Sequence, residues 1–147
     1  MTCLIFKQTN FMEMRNTSLA AIILVGGMML LLTSFVHFLL GYPNVIQTLR
    51  EEASSQEVSH LLKIIWIFSS IAMALCGIWA MFIGISIRKN LRYTKKQALI
   101  LGSGITFFGI YGFMSPFPNF QLGSFLVIGL IILLPAFFLS KEQGPYH

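Results

Sequence analysis

The sequence predicts an all-α membrane protein, four antiparallel transmembrane helices in a bundle. Three observations predict it. Hydrophobic residues make up 56% of the 147 and charged residues 10%, against about 45–50% and about 25% in ordinary globular domains. A water-soluble fold of this size has no place for so much apolar surface, whereas lipid tails are as apolar as the side chains facing them. The apolar residues fall into four blocks long enough to cross a bilayer. The stretch from Arg88 to Lys96, with Arg92 and Lys95 between and Lys89 beside it, carries five of the ten basic residues and no acid, and it divides the blocks into two pairs.

Residues 1–15 are mixed in character and too short to span anything. The first apolar block runs from about 18 to 40, opened by Asn16, Thr17 and Ser18, residue types that cap helix N-termini. At about 1.5 Å per residue it measures on the order of 35 Å, enough for a hydrocarbon core of about 30 Å. A cleaved signal peptide has a shorter apolar run of about 7–15 residues and a small-x-small site after it, so the block reads as a retained helix. Gly41 and Pro43 end it, because glycine suits a C-terminal cap and proline cannot continue the hydrogen-bond ladder.

Val45, Ile46 and Leu49 then share a face at helical spacing, opposite Gln47, Arg50 and Glu51. This pattern has two readings, a short amphipathic helix at the membrane interface and an ordinary polar connector. Ser54 and Glu57 match a capping box at a helix start. The second membrane helix, over about 62–87, carries Ala72, Cys76, Ala80 and Gly84 at strict four-residue spacing. Such a ladder of small residues lets another backbone approach closely, although small residues are common in membrane helices in any case. Ser70 and Gly77 lie off that row.

After the basic loop 88–96 comes a third helix over about 97–114, with Ala98, Gly102 and Gly109 among its small residues and a place at the centre of the bundle. The prolines of the turn at 115–120 stop it. A fourth helix covers about 121–140, with Pro135 loosening its last turn.

Four crossings put both termini on one side with the 88–96 loop. That side collects Lys7, Arg15, Arg88, Lys89, Arg92, Lys95, Lys96 and Lys141, and the other has only Arg50 and Lys63 beside Glu51, Glu52 and Glu57. Lys and Arg are retained on the cytoplasmic face, so both termini are expected in the cytoplasm of a bacterial inner membrane. Tyr42, Trp66, Tyr111 and Tyr93 fall where interfacial anchors do, and Trp79 falls deeper, as a packing residue. Anionic lipid headgroups are the partner that the basic loop suits. A nucleic-acid partner is not expected, since aromatic platforms and a basic groove are both missing.

The apolar blocks hold no Asp, Glu, Lys or Arg away from their ends, whereas ion pathways and proton relays usually need one. Cys3 and Cys76 form no Cys-x-x-Cys pair, and no serine has a His and an acid in a recognisable arrangement. No cofactor, metal or catalytic set is therefore assigned. The residues left for chemistry are His37 near the end of the first helix and His60 near the start of the second. Antiparallel neighbours bring them to similar depth, where they read either as a cofactor-ligating or pH-responsive pair or as two separately satisfied interface histidines.

The run His37-Phe38-Leu39-Leu40-Gly41-Tyr42-Pro43-Asn44-Val45, followed by Leu49 and then Trp66, resembles a loose group of uncharacterised small four-helix bacterial membrane proteins. In that group a His and a Gly close the first helix and an aliphatic segment leads to a Trp in the second. Members often have His directly after the Trp, where this chain has Ile67. The resemblance covers the first two helices, implies fold and location, and lends no activity.

Three functions follow as expectations. The first is a structural or accessory component that packs with itself or with a larger membrane complex through its small-residue faces. The second is an oligomeric transporter or permeation protein. The third is a membrane cofactor binder or enzyme using His37 and His60.

Overall fold

The computed structural model describes residues 2–51, 55–89, 94–114 and 120–139, with side chains from 14 onward in the first segment and from 122 in the last. Every element among them is helical: α1 (Thr2–Val36), a π-helical turn (His37–Gly41), α2 (Tyr42–Glu51), α3 (Gln56–Arg88), α4 (Thr94–Met114) and α5 (Phe120–Phe138). Three stretches are long and apolar enough to cross a membrane, Met14–Glu51, Gln56–Arg88 and Thr94–Met114; the apolar part of α5, Leu122–Phe138, is shorter. Arg92, Ser54, Glu52, the turn at 115–119 and the tail from 140 lie outside the described residues.

The first helix departs from expectation at both ends. It is already helical from Thr2, so Asn16, Thr17 and Ser18 are interior residues. Ser18 donates to the Met14 carbonyl at 3.1 Å, the back-bond that lets a hydroxyl sit inside a helix instead of capping it. At its other end, Gly41 and Pro43 do not stop the chain. Pro43 removes a donor and crowds the carbonyl four residues back, that of Leu39. The wider turn at His37–Gly41 absorbs that conflict, and the helix resumes as α2. There Leu49 is buried while Gln47, Arg50 and Glu51 are exposed, so the amphipathic segment is a helix and not a connector.

The start of α3 is capped by Ser55, whose Oγ accepts from the Val58 N–H at 3.3 Å. With Ser55 as cap, Glu57 is one residue too early to complete the box expected of it. Lys95 and Lys96 belong to the first turn of α4, not to a loop.

Two close helix pairs form the structure. On α1 and the π-helical turn that continues it the row Ala20, Ile23, Gly27, Leu30, Ser34, His37, Gly41 turns inward, and on α3 the row Trp66, Ser70, Met73, Gly77, Ala80, Gly84, Ile87 faces it. Both rows alternate steps of three and four, the 3.5-residue repeat that keeps a seam facing its partner. Gly84 packs on Ala20 and Leu24, Gly77 on Gly27 and Leu31, and Trp66 on Gly41, so the two helices run in opposite directions. At the crossing a Cβ on Gly77 would sit 2.9 Å from the Gly27 carbonyl oxygen, and one on Gly27 would sit 2.8 Å from that of Gly77. Only hydrogen fits on either side.

The second pair is built alike. Gly102 meets Leu133, Gly129 meets Thr106, Gly109 meets Leu126 and Gly112 meets Leu122, so α4 and α5 also run oppositely. The pairs join mainly where Gly26 of α1 lies against Ile131 and Ile132 of α5, and α3 touches α4 only lightly. The middle of the structure is therefore α1 and α5, not α4, whose glycines are all but one taken up by α5. Gly104 is the exception, with nothing within 4 Å of its Cβ position.

Candidate functional site at the π-helical turn

The polar groups inside the α1–α3 pair gather at one place, where the π-helical turn faces the first half of α3. Trp66 lies flat on the His37 ring, with centroids 4.1 Å apart and planes 8° from parallel. Gly41 makes this possible, since a Cβ there would fall 2.5 Å from the indole Cζ2. The indole N–H donates to the His37 carbonyl at 3.0 Å. A carbonyl in the wider turn is thus given a lateral donor from the neighbouring helix.

Ser70 stands one turn further along α3. Its hydroxyl donates to the Trp66 carbonyl at 3.0 Å, and its Oγ lies 2.9 Å from His37 Nδ1. A hydroxyl has one hydrogen. With that hydrogen on the Trp66 carbonyl, Ser70 can only accept from the imidazole, so the proton of the neutral ring sits on Nδ1 and its lone pair on Nε2. Ser34 closes the group by donating to the Ser70 carbonyl at 2.7 Å. Ser34 and Ser70 are both buried, and among the described residues no buried side-chain polar atom lacks a partner.

Chemically, a histidine held by its Nδ1–H presents Nε2 as a ligand or proton acceptor. Trp66 and Ser70 are the residues brought to His37. His60 is exposed and lies six residues from Trp66 toward the start of α3, about 9 Å of helical rise. It borders an open polar concavity with Gln56, Glu57, Ser59 and Lys63. Among the described residues, no group of three or more His, Cys, Asp or Glu is placed to hold a metal ion.

The other residues singled out in the sequence are distributed as follows. Ala80 and Gly84 lie on the buried seam of α3, while Ala72 and Cys76 are half-buried beside it. A strict four-residue step turns about 40° past a full circle each time, so the ladder drifts off the seam that steps of three and four follow. Ser70 and Gly77, off the ladder, are the seam residues. Ala98, Gly102 and Gly109 are buried, the two glycines against Leu133 and Leu126 of α5. Trp66 packs inward on His37, and Trp79, expected from its depth to be a packing residue, is exposed.

Arg88 and Lys89 close α3. Lys95 reaches across to the end of α5, donating to the carbonyls of Leu139 at 2.6 Å and Phe137 at 3.3 Å. The last carbonyls of a helix lack internal partners and carry partial negative charge, so this ammonium caps α5 from the neighbouring helix.

The fold and site define an all-helical protein with three helices long and apolar enough to cross a membrane and a histidine held by the neighbouring helix at a π-helical turn. No family model matches the chain, and no curated protein or solved structure matches it.

Proposed function

We propose that the chain is a four-helix, multi-pass protein of the bacterial inner membrane, with both termini cytoplasmic, that serves as a structural or accessory component associating with itself or with a larger membrane complex. The carrying observation is how the side chains are divided. The buried polar atoms are tied to neighbouring backbone and side chains, while Phe68, Leu75, Phe82, Ile100, Phe107 and Tyr111 face outward. Water does not tolerate so broad an apolar surface on a monomer; lipid and apposed helices do. The orientation has support from Lys95, which ties the start of α4 to the end of α5, and from Gly84 opposite Ala20. The first contact puts Lys95 and Lys96 beside the closing end of α5, and the second puts Arg15 toward the end of α3 that carries Arg88 and Lys89, while Arg50 follows the other end of α1, where α3 begins with Glu57 and Lys63. Anionic lipid is the headgroup partner suited to the basic end.

The test is purification from native membranes with identification of co-purifying proteins, alongside solute flux in proteoliposomes containing the chain alone. A stable self-assembly or a defined set of membrane partners is expected, with no flux above empty liposomes. Flux from the purified chain would replace this reading with the transport one.

A second reading, a membrane cofactor binder, has the oriented Nε2 of His37 in its favour. Absorbance and metal analysis of the purified protein test it, and a colourless, metal-free preparation rejects it.

A further inference from the structure

Helix α3 carries a second seam. Two residues before each position of the row that packs on α1 lie Ile64, Phe68, Ile71, Leu75, Ile78, Phe82 and Ile85 on the opposite face, and Leu61 extends this row by one more step, all in alternating steps of three and four. All are exposed, from 40% at Ile85 to 70% at Phe68. The residue types are sorted as well as spaced. Leu61, Phe68, Leu75 and Phe82 recur every seven residues at one position of the repeat, and Ile64, Ile71, Ile78 and Ile85 recur every seven at the other. The same phase then meets Glu57 at one end and Lys89 at the other, so the seam stops where the apolar stretch stops.

We propose that this outer face of α3 is a homo-oligomerisation seam, packing in parallel against the α3 of further copies of this chain. The inference rests on the self-association part of the proposed function and relocates it: the small-residue faces expected to mediate it are occupied within the chain, by α1 and α5. Lipid contact requires apolarity but does not require β-branched residues at one repeat position and Leu or Phe at the other. Knobs-into-holes packing is sensitive to that choice, because the two positions enter differently shaped holes on the facing helix. Helix α3 is also already prepared for such packing. Its inner seam follows the 3.5-residue repeat, which holds the outer seam in line along the helix instead of letting it drift by about 20° per heptad. Copies inserted with one orientation present the face at one depth, so Ile71 meets Ile71 and Ile78 meets Ile78. In parallel coiled coils, Leu at the first core position with Ile at the second favours more than two strands; Leu61 with Ile64 and Leu75 with Ile78 fit that rule, and Phe68 and Phe82 hold the first position in the other two heptads.

Single cysteines placed along α3 of the full chain, in a Cys3→Ala, Cys76→Ala background and in native membranes, test the seam by oxidative cross-linking. Cross-linked dimers are expected at 68, 71, 75, 78 and 82 and not at the exposed off-seam positions 65 and 79. A flat profile or none overturns the proposal; if that chain still co-purifies with other membrane proteins, the accessory reading stands without it. As a second measurement, the double variant Ile71→Ala, Ile78→Ala is expected to shift the detergent-solubilised particle to monomer at unchanged helix content, while Ile65→Ala does not. An oligomer that survives the double variant equally overturns the seam.

Discussion

The indole of Trp66 and the imidazole of His37 lie 4.1 Å apart and nearly parallel, and the indole N–H is bonded to the carbonyl of that same histidine. One side chain of α3 thus holds both the ring and the backbone of the π-helical turn. Replacement by phenylalanine keeps a stacked ring and loses the hydrogen bond, for an expected cost of about 1 kcal/mol. Replacement by alanine also empties the space over Gly41 and is expected to cost about 3–5 kcal/mol. Unfolding in mixed micelles reads both, and equal costs would mean that the N–H bond contributes nothing.

The hydroxyl of Ser70, donating to the Trp66 carbonyl, is placed to accept from Nδ1 of His37. Nitrogen NMR of the labelled histidine is expected to show the Nδ1–H form of the neutral ring, and the Nε2–H form would contradict the hydrogen-bond chain from His37 through Ser70 to the Trp66 carbonyl. Ser70→Ala removes the acceptor. A double-mutant cycle with His37→Ala should return a coupling of about 0.5–1.5 kcal/mol.

Gly77 and Gly104 predict opposite outcomes for one substitution. At Gly77 an added methyl meets the backbone of Gly27 and Leu31, which moves only if the helices separate, so Gly77→Ala is expected to destabilise by about 1–3 kcal/mol. At Gly104 there is open space, and Gly104→Ala is expected to be neutral or to stabilise by up to about 1 kcal/mol through helix propensity. Thermal unfolding of the two variants side by side checks the sign.

Lys95 caps a helix that is not its own. Lys95→Gln is expected to cost about 1 kcal/mol and to raise hydrogen exchange at the last turn of α5 while leaving α1 and α3 unaffected. Uniform exchange across the chain would show that the contact does not hold α5.

Some of this was legible in the sequence and some was not, for identifiable reasons. The amphipathic spacing of Val45, Ile46 and Leu49 is local, and it produced α2 where expected. The stop at Gly41 and Pro43 was read from rules that treat a proline as ending the ladder. A π-helical turn offers another solution, and which one is taken depends on whether a neighbour such as Trp66 stabilises the displaced carbonyl. Ser70 and Gly77 fall outside the four-residue row of small residues because the packing repeat is 3.5. That signal was available in the spacing of Trp66, Ser70, Met73, Gly77, Ala80, Gly84 and Ile87.

By itself the sequence determined the helical class and the apolar stretches, because these depend on composition and short-range periodicity. Tertiary structure decided which faces meet. It set α1 and α5 in the middle, turned Trp66 inward and Trp79 outward, and gave His37 to Ser70 instead of His60. Apolar helices carry many stripes that can be buried, and the choice among them is made by where two backbones approach closely enough for glycine alone to fit, as Gly27 and Gly77 do.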